Sequence, residues 1–211
     1  MTSQNPPLQA RSREKLERVL TAAEELLEEH LFEQLSMTAV AERAGVAVGT
    51  IYTRFASKED LLPALFERHQ RAVGPRLASL LSKLDATPEL KERVRALVRF
   101  AVRYHRQHRG LLRALTMYVR AHPDSVPARA FVERTAQYRA VAEVLVGNDE
   151  SIPAAKPVEE ALFLLGVVNS VCREQVLFDD VTPLKGQRRS LAALEKRLAQ
   201  MLLRDLTGRP S

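Results

Sequence analysis

The 211-residue chain contains no tryptophan, one cysteine and only 8 glycines. The absence of tryptophan and the scarcity of glycine argue against a β-rich barrel or sandwich. One cysteine excludes an internal disulfide and fits a reducing compartment, so a cytoplasmic location is expected. The opening residues, MTSQNPPLQARSREK, lack the apolar core of a signal peptide, and none is expected. The longest apolar run, Ala161 to Val168, is far too short to cross a bilayer, so no membrane partner is expected. Chemistry motifs are also missing. His105 and His108 stand at i, i+3, but no carboxylate or cysteine has matching spacing for a metal. Serine, cysteine and histidine form no recognisable nucleophile arrangement. The chain is therefore not read as an enzyme, and no catalytic residue, metal or cofactor is expected.

The composition is that of a globular protein, with 45% hydrophobic and 27% charged residues. Its length allows one large domain, or a small one and a larger one, with ample apolar surface for a core. The net charge is +6. The first 60 residues nevertheless carry 7 Lys/Arg against 10 Asp/Glu, so the basic excess lies beyond them. Local distribution is more informative. Gly45 to Lys58 holds two cations and no acid. Arg11, Arg13, Lys15 and Arg18 make the approach to that stretch basic, while acids gather at Glu24 to Glu33. A polyanion meets the cations only if the fold turns the acids away.

The chain is organised around Met37 to Asp60, MTAVAERAGVAVGTIYTRFASKED. Met37, Val40, Ala41 and Ala44 fall at i, i+3, i+4 and i+7, one apolar helical face. Gly45 follows at once, the usual helix stop, because glycine enters the left-handed region without a Cβ clash. A short helix over about Val48 to Arg54 comes next. Ile51 and Phe55 anchor it in the core, and Thr50, Tyr52, Thr53 and Arg54 are left on other faces. This is the form of a DNA-recognition helix. Gly49 lets the backbone approach DNA closely. Thr50 is placed for a base edge or a thymine methyl, and Arg54 for a guanine or, equally, a phosphate. Ser36 is the expected N-cap of the preceding helix, with Thr38 in its first turn. That N-terminus attracts anions, so either hydroxyl is a candidate phosphate contact, and capping alone accounts for Ser36 equally well.

AGVAVGTIYTRFASKEDL resembles the signature of the tetracycline-repressor (TetR) family of transcription regulators. VLTAAEELLEEHLFEQLSMTAVAERAGV resembles that family's first two helices. The resemblance covers roughly Arg13 to Phe66. It implies an all-α, DNA-binding, ligand-responsive homodimer. It further implies that Tyr52 and Lys58 contact phosphates, and that Thr53 and Arg54 vary the sequence read. The chain departs from the family at Ala47, where a hydroxyl and its phosphate contact are missing, and at Leu31, where glycine is usual.

About nine helices in two domains are expected: a disordered arm over 1–11, a helix-turn-helix domain over 12–60, and an effector-binding and dimerisation domain over 61–211. The first helix runs from about Ser12 to Glu29 on a stripe from Leu16 to Leu27. Ser57 to Asp60 reads as a capping box starting a helix to about residue 84. Gly74-Pro75 should kink or break it. Thr87 should cap a fifth helix to about His108, where Lys91, Arg95, Arg99 and Arg103 form a cationic ladder: an anion site, or a solvated face. Gly110 should break the chain before a sixth helix, Leu111 to Ala121. A seventh is expected over Val126 to Val146 and an eighth from Pro157 to Phe178. A ninth, capped by Thr182-Pro183, is expected from Leu184 to Leu206.

The expected function is ligand-controlled transcription regulation, most simply repression. A homodimer would set two recognition helices on a palindromic double-stranded operator, and a small hydrophobic effector would release it. Candidate pocket residues are Phe100, Tyr104, Met117, Tyr118, Phe131, Tyr138, Phe163, Asn169 and Cys172, most of which suit a plain core equally. Candidate dimer residues are Leu165, Val168, Leu191, Leu194, Leu198, Met201 and Leu202. Two other readings fit the residues: a DNA-binding dimer with no effector, and a helical protein–protein adaptor.

Overall fold

A computed structural model describes residues 8–133, 135–147, 149–153, 157–179 and 190–208, the side chains of 8, 9 and 131–133 excepted. It is all-α. The helices are α1 (Leu8–Glu29), α2 (Met37–Ala44), α3 (Val48–Tyr52), α4 (Leu61–Asp85), α5 (Leu90–Gln107), α6 (Arg109–Ala121), α7 (Val126–Glu133), α8 (Thr135–Val146), α9 (Pro157–Cys172) and α10 (Leu191–Thr207). A 3-10 turn at Phe32–Gln34 precedes α2, and a π turn at Arg173–Leu177 ends α9. The chain divides into two compact units: Met1–Gln70 with Gly110–Ala128, and Arg71–Arg109 with Arg129–Ser211. The division therefore falls inside α4, ten residues later than the sequence places it, and the first unit also takes in most of α6.

In the first unit, the apolar stripe of α1 buries Val19, Leu20, Ala23, Leu26 and Leu27. Met37, Val40, Ala41 and Ala44 of α2 are buried as their spacing requires, and so are Ile51 and Phe55. α1 starts at Leu8 rather than Ser12, so the last part of the expected arm is helical. Leu31 needs no left-handed conformation: it is extended, at φ −72° and ψ 152°. Its N–H donates to Gln34 Oε1 at 3.0 Å, which replaces the usual glycine stop.

Gly110 does not break the chain; it lies in the first turn of α6. A Cβ there would stand 1.9 Å from the Leu27 carbonyl oxygen and 2.3 Å from its carbon. The Gly110 N–H donates to Glu28 Oε1 at 3.0 Å. The glycine is required by close approach of α6 to α1, not by a turn.

The second unit has one core. It draws Leu80 and Leu84 from α4, Val94, Leu97, Val98 and Val102 from α5, Val141, Ala142 and Leu145 from α8, Leu164, Leu165, Val168 and Cys172 from α9, and Leu198, Leu202 and Leu206 from α10. α4 runs through Gly74-Pro75 without a break. Nothing lies within 4 Å of a Cβ at Gly74. Thr87 does not cap α5. Its hydroxyl donates back to the Lys83 carbonyl at 2.7 Å, and the cap position falls to Glu89 with no side-chain bond. The expected helix over 126–146 is described as α7 and α8 on either side of residue 134. The last helix is capped by Ser190, whose Oγ accepts from the Ala193 N–H at 3.2 Å. Thr182, Pro183 and Leu184 lie outside the described residues.

Candidate nucleic-acid interface

The turn between α2 and α3 follows from two positions. Gly45 is left-handed, at φ 63°, and its N–H closes α2 on Ala41 and Glu42. Ala47 then starts α3 in an extended conformation with no side-chain cap, as the missing hydroxyl requires. At the other end of α2, Ser36 Oγ accepts from the Ala39 N–H at 3.1 Å. Ser36 is thus a cap, and Thr38 is exposed beside it.

The short α3 buries Ile51, half-buries Val48 and Thr50, and exposes Gly49 and Tyr52. Tyr52 is 54% exposed. Thr53 and Arg54 are exposed, Thr50 is half-buried, and a Cβ at Gly49 would meet nothing within 4 Å. The Thr53 hydroxyl donates to the Thr50 carbonyl at 2.7 Å, leaving its oxygen free to accept. Arg54 Nη2 hydrogen-bonds Ser12 Oγ, which joins α3 to the start of α1. Arg18 Nη1 lies 3.9 Å from where a Cβ on Gly45 would stand. The basic first half of α1 therefore adjoins α3 and its turn.

The acids of the second half of α1 are held within the unit. Arg43 of α2 grips Glu29 with two bonds of 2.9 Å and stands 3.6 Å from Glu25. Hydrogen bonding from Arg43 holds the Glu29 carboxyl below its ordinary pKa. Arg68 of α4 takes Glu24 at 3.2 Å and the Thr21 hydroxyl at 3.0 Å. Glu28 takes Gly110. The carboxylates of the second half of α1 are thus spent inside the unit, and the cations of its first half are not set against them.

Lys58 has a duty that sequence reasoning missed. Its ammonium donates to the carbonyls of Phe32, Glu33 and Leu35, at 3.2, 2.9 and 3.4 Å, and lies 5.1 Å from the Phe32 ring centre. Its three donors cap the 3-10 turn, so Lys58 reaches a phosphate only by giving up a carbonyl. Lys58→Ala should lower the stability of the first unit by about 1–3 kcal/mol, as loss of hydrogen bonds from a charged donor implies. A urea midpoint checks this.

The pocket candidates scatter. Cys172 is part of the second unit's core, and burial pushes its thiol up to about 12, so it is inert packing. Phe163 is 66% exposed, and Tyr138 and Met117 are also exposed. Tyr118 stacks on His122, ring centres 4.5 Å apart. The side chain of Phe131 lies outside the described residues. Only Phe100, Tyr104 and Asn169 come near one another's partners: Tyr104 stacks on Phe100 at 5.9 Å and edges His105 at 5.9 Å, and Asn169 hydrogen-bonds His105. Asn169, a polar residue on the apolar α9, therefore satisfies a buried histidine. Of the dimer candidates, Leu165, Val168, Leu198 and Leu202 are buried in the chain's own core and are not available to a partner. Leu191 is 40% exposed, and Leu194 and Met201 are half-buried.

His105 and His108 are both held neutral. His105 Nδ1–H donates to the Ala101 carbonyl at 2.8 Å, and burial, with Arg173 nearby, lowers its pKa. Arg76 Nη1 lies 2.6 Å from His108 Nε2. A guanidinium only donates, so that nitrogen carries no proton, and burial and Arg76 lower the pKa of His108. Both folded pKa values lie below the unfolded one, so the unfolded chain binds more protons as pH falls through about 6.5. The stabilisation is present above that value and lost below it. The melting temperature should fall between about pH 7.5 and 5.5, and the fall should shrink in a His105→Gln/His108→Gln variant.

Residues 19–65 match the family model described as bacterial regulatory proteins, tetR family. A 55-residue stretch is 42% identical to the fatty acid metabolism regulator protein of Bacillus subtilis, covering 26% of this chain and 28% of that protein. The fold matches FadR from Bacillus subtilis, solved in complex with stearoyl-CoA, with a TM-score of 0.62 at 20% identity over 92% of this chain and 100% of that one. It also matches the TetR-family regulator PfmR from Thermus thermophilus, with a TM-score of 0.62 at 17% identity over 89% and 97%. The family model thus covers the helix-turn-helix unit of this chain, and the all-α fold of the whole is that of solved TetR-family regulators.

Proposed function

We propose that the protein is a homodimeric repressor that reads a palindromic operator through α3 and is released by a hydrophobic effector. One observation carries the DNA-reading part: Thr50, Tyr52, Thr53 and Arg54 face outward from a short buried-anchor helix beside a basic helix start. Glu29 and Glu24, two of the acids that would repel a duplex, are meanwhile paired with Arg43 and Arg68. Two such helices, about 34 Å apart, would enter successive major grooves. Thr50, Thr53 and Arg54 would meet base edges, and Tyr52 and Thr38 the phosphates, while Ser36 keeps its cap and Lys58 could join only by giving up a carbonyl of the 3-10 turn. Arg54→Ala should cost about 1–3 kcal/mol at one operator position, lost as discrimination against other bases rather than uniformly. Competition between operator variants in a binding assay checks it.

The proposed effector is a long-chain acyl thioester of coenzyme A. Its support is the stearoyl-CoA in the Bacillus subtilis FadR structure and the name of the fatty acid metabolism regulator that is 42% identical over 55 residues. Release requires only that the effector bind the DNA-incompetent form of the dimer more tightly. The test is fluorescence anisotropy of an operator duplex, found by selection from random sequence, with added stearoyl-CoA. Release by stearoyl-CoA but not by coenzyme A alone supports the reading. Unchanged anisotropy with saturating ligand removes this effector class.

A further inference from the structure

The cationic ladder of α5 is not a flat solvated face. Lys91, Arg95 and Arg99, one turn apart, join Lys196 of α10 around a cleft of about 260 Å³ that adjoins a second of about 590 Å³. Both lie within the second unit. The smaller cleft holds four cations against one carboxylate, Glu195. Arg95 is tethered by Glu92 at 2.6 Å. Among the described residues, Lys91, Arg99 and Lys196 have no hydrogen-bonded or ion-paired partner. Arginines elsewhere in the chain, such as Arg43, Arg68 and Arg93, are paired.

Like charges at i, i+4 repel, so a cleft that collects them is set for an anion. We propose that this cleft between α5 and α10 binds a small polyphosphate. Cations repeating along one helix face are about 5–6 Å apart at their Cβ atoms. Their long side chains therefore suit an elongated anion with several charges rather than a point charge. Counting Glu92, which holds Arg95, four cations against two carboxylates leave an excess of two positive charges, which suits the two phosphoryl groups of a diphosphate. A concave cleft of this size takes a small molecule, whereas a duplex backbone needs an open face. Ala192 and Ala199 in the lining leave room for it. The diphosphate is either free or part of a nucleotide-type molecule. The inference stands without the effector reading above, because neither an acyl chain nor DNA enters it.

The test is calorimetric titration of the full-length protein with inorganic pyrophosphate at constant ionic strength, and in parallel with ADP and with coenzyme A. Saturable binding of one anion per chain is expected, weakened at least tenfold in Lys91→Ala/Arg99→Ala/Lys196→Ala. Arg120→Ala, an exposed cation of the other unit, should bind as the parent does. If the triple variant does not fold, Lys91→Gln/Arg99→Gln, which keeps much of each stem, should still weaken binding several-fold. Tightest binding by pyrophosphate assigns the free anion; tighter binding by ADP or coenzyme A, lost by the same factor, assigns a nucleotide-linked diphosphate. The proposal is overturned by absence of saturable binding, by binding that survives the substitutions, or by sulfate competing equally well. It is also overturned if the substitutions weaken only duplex DNA.

Discussion

Replacing Arg93 by alanine should destabilise the second unit by about 3–5 kcal/mol, the usual cost of removing one partner from a buried charged network. Arg93 is 8% exposed. Its Nε donates to the Leu145 carbonyl at 2.9 Å, Nη1 to the carbonyls of Thr87 and Pro88 at 3.1 and 2.6 Å, and Nη2 to Asp149 at 2.9 Å. One guanidinium thus closes the end of α8, the loop entering α5 and the turn after α8. Ser151 and then Arg93 hold the Asp149 carboxyl below its ordinary pKa. Arg93→Lys should rescue little, because one ammonium cannot span acceptors on both sides of the planar fork. For a chain of this size the loss corresponds to a melting temperature lower by about 6–20 °C. A fall of only a degree or two would show that the network contributes no stability.

The second large effect is expected at Gly110. Gly110→Ala drives a methyl into the backbone of Leu27, which cannot step aside as a side-chain tip would. The first unit should lose about 1–3 kcal/mol or more, as overpacking costs, and α6 should shift off α1. Gly74→Ala and Gly166→Ala are the controls. Both glycines are helical with nothing within 4 Å of a Cβ, so alanine should be neutral or stabilising by about 0.5–1 kcal/mol. Urea midpoints of the three variants separate the cases. Equal midpoints would mean that Gly110 is an ordinary helix residue.

Those two residues also mark where the sequence is legible and where it is not. α2, Gly45 and the apolar anchor of α3 follow from local spacing and one glycine, so the reading unit is visible in a line of text. Gly110 reads locally as a breaker, because the backbone that excludes its side chain belongs to Leu27, far upstream in the chain. Arg93 falls on the apolar stripe between Leu90 and Leu97, where a polar residue signals buried acceptors nearby, but those acceptors lie as far away as Leu145 and Asp149. Lys58 was assigned by resemblance to a phosphate, and its three carbonyl acceptors sit more than twenty residues upstream. Some of the dimer and pocket candidates are core residues for another reason. Leu198, Leu202, Val168 and Cys172 are apolar at helical spacing, and spacing alone does not distinguish a chain's own core from a surface offered to a partner or a ligand.

The central claim is that α3 reads DNA. It is tested most directly by selecting duplexes from random sequence and measuring affinity for the winner across a salt series. A palindromic consensus, bound by two chains with affinity falling steeply as salt rises, is the predicted result. Arg54→Ala should relax one position of that consensus in each half. No enrichment over random duplex at low salt, from folded dimeric protein, would contradict the account.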